Sequence, residues 1–89
     1  MVIVRLVEAK RGRNRNWVVF SGYVPRLDNS RLFTFEFCGT ELHTSASLPE
    51  ADKEAICDKM GDLFGFPPFD TREIKEMTGV PGGIEISID

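Results

Sequence analysis

The sequence predicts an α+β fold: a small single domain spanning residues 1–89, with a four-stranded, mainly antiparallel sheet in the order βββααβ and two helices packed on one face. Three observations lead there. Four stretches alternate apolar and polar residues with period two, the pattern of half-buried strands. Two stretches between the third and fourth of these repeat apolar residues at helical spacing behind capping residues. Apolar residues make up 42% of the chain and seven of its residues are phenylalanine, enough for one core. A domain of this length buries only about 60–65% of its unfolded surface, so one core is also all it can build.

The first strand is expected over residues 2–9, with Val2, Val4 and Leu6 on one face. RGRNRN follows, where Gly12 and two asparagines supply residues that tolerate turn geometry. The second strand covers 17–24, with Val18, Phe20 and Val24 on one face and Trp17, Val19 and Tyr23 on the other. PRLDNS, with Pro25, Asp28 and Asn29, makes the next connection. The third strand, 31–38, alternates Phe33, Phe35 and Phe37 with Thr34 and Glu36.

The first helix is announced by SLPE, where Ser47 and Glu50 have capping-box spacing. Ala51, Ala55, Ile56, Met60, Leu63 and Phe64 then recur at helical intervals. Gly61 weakens the interior by about 1 kcal/mol relative to alanine, so an early end or a bend is expected there. Gly65, Pro67 and Pro68 stop the helix. In DTREIKEMTG, Asp70 and Glu73 form a second capping pair, Phe69 can staple onto Ile74, and Gly79 is the natural terminator. VPGG turns the chain into the last strand, 84–88, where Ile84, Ile86 and Ile88 alternate with Glu85 and Ser87. The first three strands form a meander. The phenylalanine and isoleucine stripes face the helices.

Parity then fixes the opposite face of the sheet. It should carry Ile3, Arg5 and Val7, then Trp17, Val19 and Tyr23, then Leu32, Thr34 and Glu36, with Glu85 and Ser87 on the last strand. That is less polar than a solvated face should be, and apolar area of this kind marks interaction sites. A loop, a terminus or a second copy could cover it, the last giving a homodimer through the exposed strand face.

The net charge of −3 hides a split. Residues 1–40 hold seven cations against three anions, a net of +4, and residues 41–89 hold four against eleven, a net of −7. Such asymmetry speaks to partners and solubility rather than to fold. The positive charge concentrates in KRGRNRNW, where Lys10, Arg11, Arg13 and Arg15 precede Trp17. Arginine is the preferred phosphate ligand and a neighbouring aromatic can stack on a base. Four cations neutralise few phosphates, however, and the acidic half repels the same polymer at range. The negative charge concentrates at 50–62, where Glu54, Asp58 and Asp62, with Glu50 and Asp52, line helix flanks that could meet a basic partner. The earliest of these acids also suit the positive end of the helix dipole.

Other motifs fall away on physical grounds. RLFTFEF has the basic and aromatic spacing of the RNP1 strand of RNA recognition modules. Turning its aromatics outward would put Glu36 in the core unpaired, which is costly. TREIKEMTGVP has the look of a helix and turn from a helix-turn-helix, but a strand-like segment follows where a reading helix is needed. Cys38, His43 and Cys57 lack the close pairs of structural zinc sites, and a nucleophilic cysteine would need a histidine adjacent in space. No serine elbow, glycine-rich phosphate loop or HExxH occurs. No enzymatic activity, cofactor or metal is therefore expected.

No apolar run approaches the ~20 residues of a membrane span, and MVIVRLVEAK is too short and too charged for a signal peptide. No membrane partner and a cytoplasmic location are expected. The two cysteines read as small buried hydrophobes. The function these features point to is non-enzymatic binding of a protein or ribonucleoprotein partner, with direct DNA or RNA binding through the 10–15 loop as the alternative. Small acidic domains of this kind are common among phage and mobile-element inhibitors of host machinery, anti-CRISPR proteins included, an analogy of size and charge only.

Overall fold

The computed structural model describes all 89 residues. Its elements are β1 (Val2–Arg11), β2 (Val18–Val24), β3 (Asp28–Phe37), β4 (Leu42–Thr44), α1 (Glu50–Phe64), α2 (Thr71–Thr78) and β5 (Ile84–Ile88). They form an α+β domain with one sheet of five strands in the order β4-β3-β2-β1-β5, every neighbouring pair antiparallel. The four expected strands and both helices are present. The fifth, β4, is new: it falls in the polar stretch ELHTSAS and pairs Phe35 with Thr44, Glu36 with His43, and Phe37 with Leu42. Three residues are too few for period two to show above background.

Both helices cover the same face of the sheet. Phe20, Phe33, Phe35 and Phe37 meet Val2, Val4, Leu6, Ile86 and Ile88 there, beneath Ile56, Met60 and Ile74. Phe20 meets Phe64 of α1 at 4.7 Å and Phe37 meets Phe69 at 5.7 Å, both pairs of rings tilted. The inward phenylalanine stripe is as the alternation requires, and it leaves Glu36 on the outer face. A strand follows α2, so no reading helix exists there.

Two details depart from the sequence pattern. The pairing of β1 with β2 slips between Leu6 and Glu8, so an extra residue, Val7, bulges out. Leu6 and Ala9 therefore both point inward, while Glu8 and Lys10 turn to the outside. The β2–β3 connection is shorter than PRLDNS: Leu27 N–H donates to the Val24 carbonyl at 2.8 Å, and β3 already begins at Asp28. The Asp28 carboxylate accepts from the Ser30 amide and hydroxyl, which hold its pKa below the usual carboxylate value.

The caps divide. Ser47 does not cap α1: Pro49 is the N-cap residue, no side chain bonds there, and the Pro49 carbonyl receives Asp52 and Lys53. A Ser47 cap would require helical geometry at Leu48, which the proline ring after it disfavours. Asp70 does cap α2, accepting from the Arg72 and Glu73 amides at 3.1 and 3.2 Å. Gly61 does not end α1, which runs on to Phe64. Gly79 ends α2 with a right-handed φ of −77°.

Candidate binding face and its charged rim

The outer face of the sheet carries no helix. Cross-strand register writes it as rows. At the hairpin end, Lys10, Val19, Glu36 and His43 sit side by side on four strands. The next outer row is Glu8, Ser21 and Thr34. Beyond it lie Tyr23, Arg5 and Glu85, then Ile3 and Ser87. Ile3, Val7, Val19 and Tyr23 are half-buried, flanked by their neighbours with no element above them. The apolar positions are thus divided by a polar row that the bulge at Val7 helps to create.

The hairpin end is the most built part of this face. Gly12 N–H donates to the Trp17 carbonyl and Trp17 N–H to that of Asn14, both at 3.1 Å, while the Asn14 side chain receives the Asn16 amide at 2.8 Å. These bonds fold the loop back over its own last residue. The Arg13 guanidinium lies 4.4 Å from the Trp17 ring centroid and also reaches Glu36 at 3.2 Å. The His43 ring stacks on Trp17 at 5.7 Å, and its Nε2 is 3.6 Å from the Glu41 carboxylate. An exposed cation–π contact and an exposed ion pair are each worth up to about 1 kcal/mol. Here they share residues, so the cluster orders the loop more than either would alone. The loop is also tied below: Phe69 N–H donates to the Arg15 carbonyl at 3.0 Å.

The expected site residues divide accordingly. Arg13, Trp17 and Val19 come together, and Lys10 joins them in the same row. Arg11 pairs with Val18 on the opposite face. Lys10, Arg11 and Arg15 form no ion pair. Arg5 and Tyr23 are paired residues at the far end of the face, Arg5 being held by Glu85 at 3.0 Å. Glu54 and Asp58 line a groove of about 430 Å3 between α1 and β4, together with Glu41, Glu50 and His43. Asp62 is apart from them, beside Lys59 and Leu63 at the β5 side of α1.

Residues the sequence did not single out complete the rim. Glu36 and His43 complete the Trp17 cluster through register. Phe66, 63% exposed, faces Trp17 across an open groove of about 480 Å3 floored by Cys38, Pro67 and Pro68. The signal for it was FGFPPF, an aromatic stranded between a helix stop and two prolines. Cys38 and Cys57 are both free thiols. The Cys38 sulfur lies 3.6 Å from the Thr40 hydroxyl, and burial, followed by the Asp58 charge, pushes the Cys57 thiol above its usual pKa. No three His, Cys, Asp or Glu side chains are grouped to hold a metal ion, and no helix is long and apolar enough to cross a membrane.

Compared with protein-family models, curated proteins and solved structures, the chain matches none.

Proposed function

We propose that this protein is a non-enzymatic binding module that engages a protein or ribonucleoprotein partner through the outer face of its sheet. The observation that carries the reading is the Arg13–Trp17–His43 stack with Glu36, a pre-ordered aromatic and charged cluster on a face that neither helix covers. Tryptophan and arginine are the side chains that most often dominate the energy of protein interfaces. A cluster already held in place loses little further entropy on binding. Val19 and Tyr23 extend the contact surface, and Arg5 with Glu85 supplies a second charged margin. The acidic groove of Glu54 and Asp58 presents opposite charge on the helix side. A small inhibitor of host machinery, as phages and mobile elements carry, is one role such a module would fill.

The test is affinity capture from the native host with wild type, Trp17→Ala and Tyr23→Ala, followed by mass spectrometry. Both variants should keep the fold and lose a specific partner. If both retain every partner, the outer face is not the interface.

A second reading is direct nucleic-acid binding, favoured by the unpaired Lys10, Arg11 and Arg15. It is weakened by the partners Arg13 already has and by the two groups already stacked on Trp17. Retention on DNA or RNA at ~50 mM salt, lost when the loop cations become alanine, would support it; no retention there, where counterion release is most favourable, would end it.

A further inference from the structure

The two edges of the sheet are unlike. β4 closes one with three residues, and a short edge offers little to pair with. β5 closes the other with five, Ile84–Ile88, and its only ladder partner is β1. No backbone hydrogen bond outside the sheet involves residues 84–88. Open edges are normally guarded by lysine, proline, a bulge or an inward-pointing charge. β5 has none of these. Its one charge, Glu85, lies on the outer face, where it is paired with Arg5 at 3.0 Å. Along the edge runs a groove of about 400 Å3, with Lys59, Asp62 and Leu63 of α1 on one side and Glu85, Ile86 and Ser87 on the other. Leu63 is 43% exposed there. A strand added to β5 would lay its inner side chains against that leucine.

We infer that β5 is the site at which a second copy of this chain adds, forming one continuous ten-stranded sheet about a two-fold axis through Ile86. IEISI is symmetric in side-chain class about its centre. Antiparallel pairing of two copies must keep inner residues opposite inner residues, which leaves few registers. Centred on Ile86, the pairing sets Ile84 opposite the partner's Ile88 and Glu85 opposite the partner's Ser87. Centred on Glu85, it sets two carboxylates face to face. Centred on Ser87, it sets Glu85 opposite the partner's Asp89, again two carboxylates. Like charges directly opposite destabilise a pair, so of the registers that pair three or more residues of Ile84–Ile88 with the same strand of the second copy, only the one centred on Ile86 is free of repulsion. Lys59 and Asp62 bring both signs of charge to the same groove. All four helices then lie on one side, and the two outer faces join on the other.

The test uses position 87, which is exposed on the outer face. Sedimentation velocity from ~1 µM to ~1 mM should show a concentration-dependent dimer. Ser87→Glu opposes Glu85 twice across the axis and should weaken the dimer about tenfold; Ser87→Lys pairs with Glu85 twice and should tighten it about tenfold. Melting curves taken at the lowest concentration establish that each variant folds. Hydrogen exchange on the wild type gives a readout that needs no variant: amides in 84–88 should gain protection as concentration rises. A monomer throughout the range overturns the inference. So does a dimer indifferent to the sign of the charge at 87, or one that leaves β5 protection unchanged.

Discussion

Gly61→Ala should stabilise this protein by about 1 kcal/mol. Gly61 is the twelfth residue of a fifteen-residue helix, with helical geometry on both sides. Glycine inside a helix is about 0.8–1.0 kcal/mol less favourable than alanine, because it loses more backbone freedom on folding. Sterics decide whether that gain is realised. A methyl group at 61 would meet only the Gly39 carbonyl oxygen and the Phe66 ring, each at 3.8 Å, ordinary van der Waals contact. Nothing has to move, and the gain stands undiminished. For a domain of this size, 1 kcal/mol corresponds to a rise of about 4–8 °C in Tm. Gly83→Ala is the matched opposite. Gly83 has φ +69°, and a methyl there would overlap the Leu6 carbonyl where the β5 entry is pressed against β1. Strain of this kind costs on the order of 1–3 kcal/mol before any backbone shift. Thermal and urea melts of both variants measure the pair. A lower midpoint for Gly61→Ala, or an unchanged one for Gly83→Ala, would refute the packing around α1 and the β5 entry.

Asp70→Ala removes the acceptor of two helix N–H groups and should cost about 1 kcal/mol, whereas Ser47→Ala should stay within about 0.5 kcal/mol, since Ser47 caps nothing; urea titration separates them. A thiol reagent under native conditions should label the accessible Cys38 first and reach Cys57, 7% exposed, only as fast as the core opens. The raised Cys57 thiol also sets a sign for alkaline stability. The folded state disfavours its thiolate, so this contribution is whole below the ordinary value of 9.0 and is lost as pH climbs through the raised folded value. Cys57→Ala should therefore flatten the decline of Tm above pH 9, and an unchanged slope would count against a desolvated thiol.

Much of the fold was legible because long segments repeat their signal. Phe33, Phe35 and Phe37 announce an inward face three times over, and Ile84, Ile86 and Ile88 do the same. Asp70 reads as a cap because nothing competes with it. Ser47 reads as one equally well, yet Pro49 two residues later disfavours the helical geometry at Leu48 that such a cap needs, a local conflict that a spacing rule does not see. β4 escaped because three residues carry no period. Its loss propagated to the site. Parity alone placed Arg5, Trp17, Val19 and Tyr23 on the outer face. Parity also placed Glu36, the ion-pair partner of Arg13, on that face, but His43, which stacks on Trp17, could not be found without β4, because the pairing of β3 with β4 is what sets His43 beside Glu36. The charged rim of the groove shared by Glu54 and Asp58 depends on the same strand.

The bulge at Val7 shows how one residue decides which face the basic hairpin serves. Strict alternation from Val2, Val4 and Leu6 would carry Glu8 and Lys10 into the core, where neither has a partner. A buried unpaired charge is far costlier than a locally broken ladder. The extra residue shifts the phase, so Ala9 takes the inward position and Lys10 joins Val19, Glu36 and His43 outside. The sequence carries this signal as an interval of three between Leu6 and Ala9. Gly22 permits it from the other strand, since a methyl group there would press on the Arg5 carbonyl at 2.7 Å. Deleting Val7 should therefore remove the bulge and leave both faces as they are, because Leu6, Glu8, Ala9 and Lys10 then alternate strictly inward and outward opposite Gly22, Ser21, Phe20 and Val19. The deletion variant should keep a single cooperative thermal transition, and Val7→Thr, which keeps the bulge, should lower Tm only modestly. A deletion variant that no longer melts cooperatively would mean that the bulge does more than set the phase of β1.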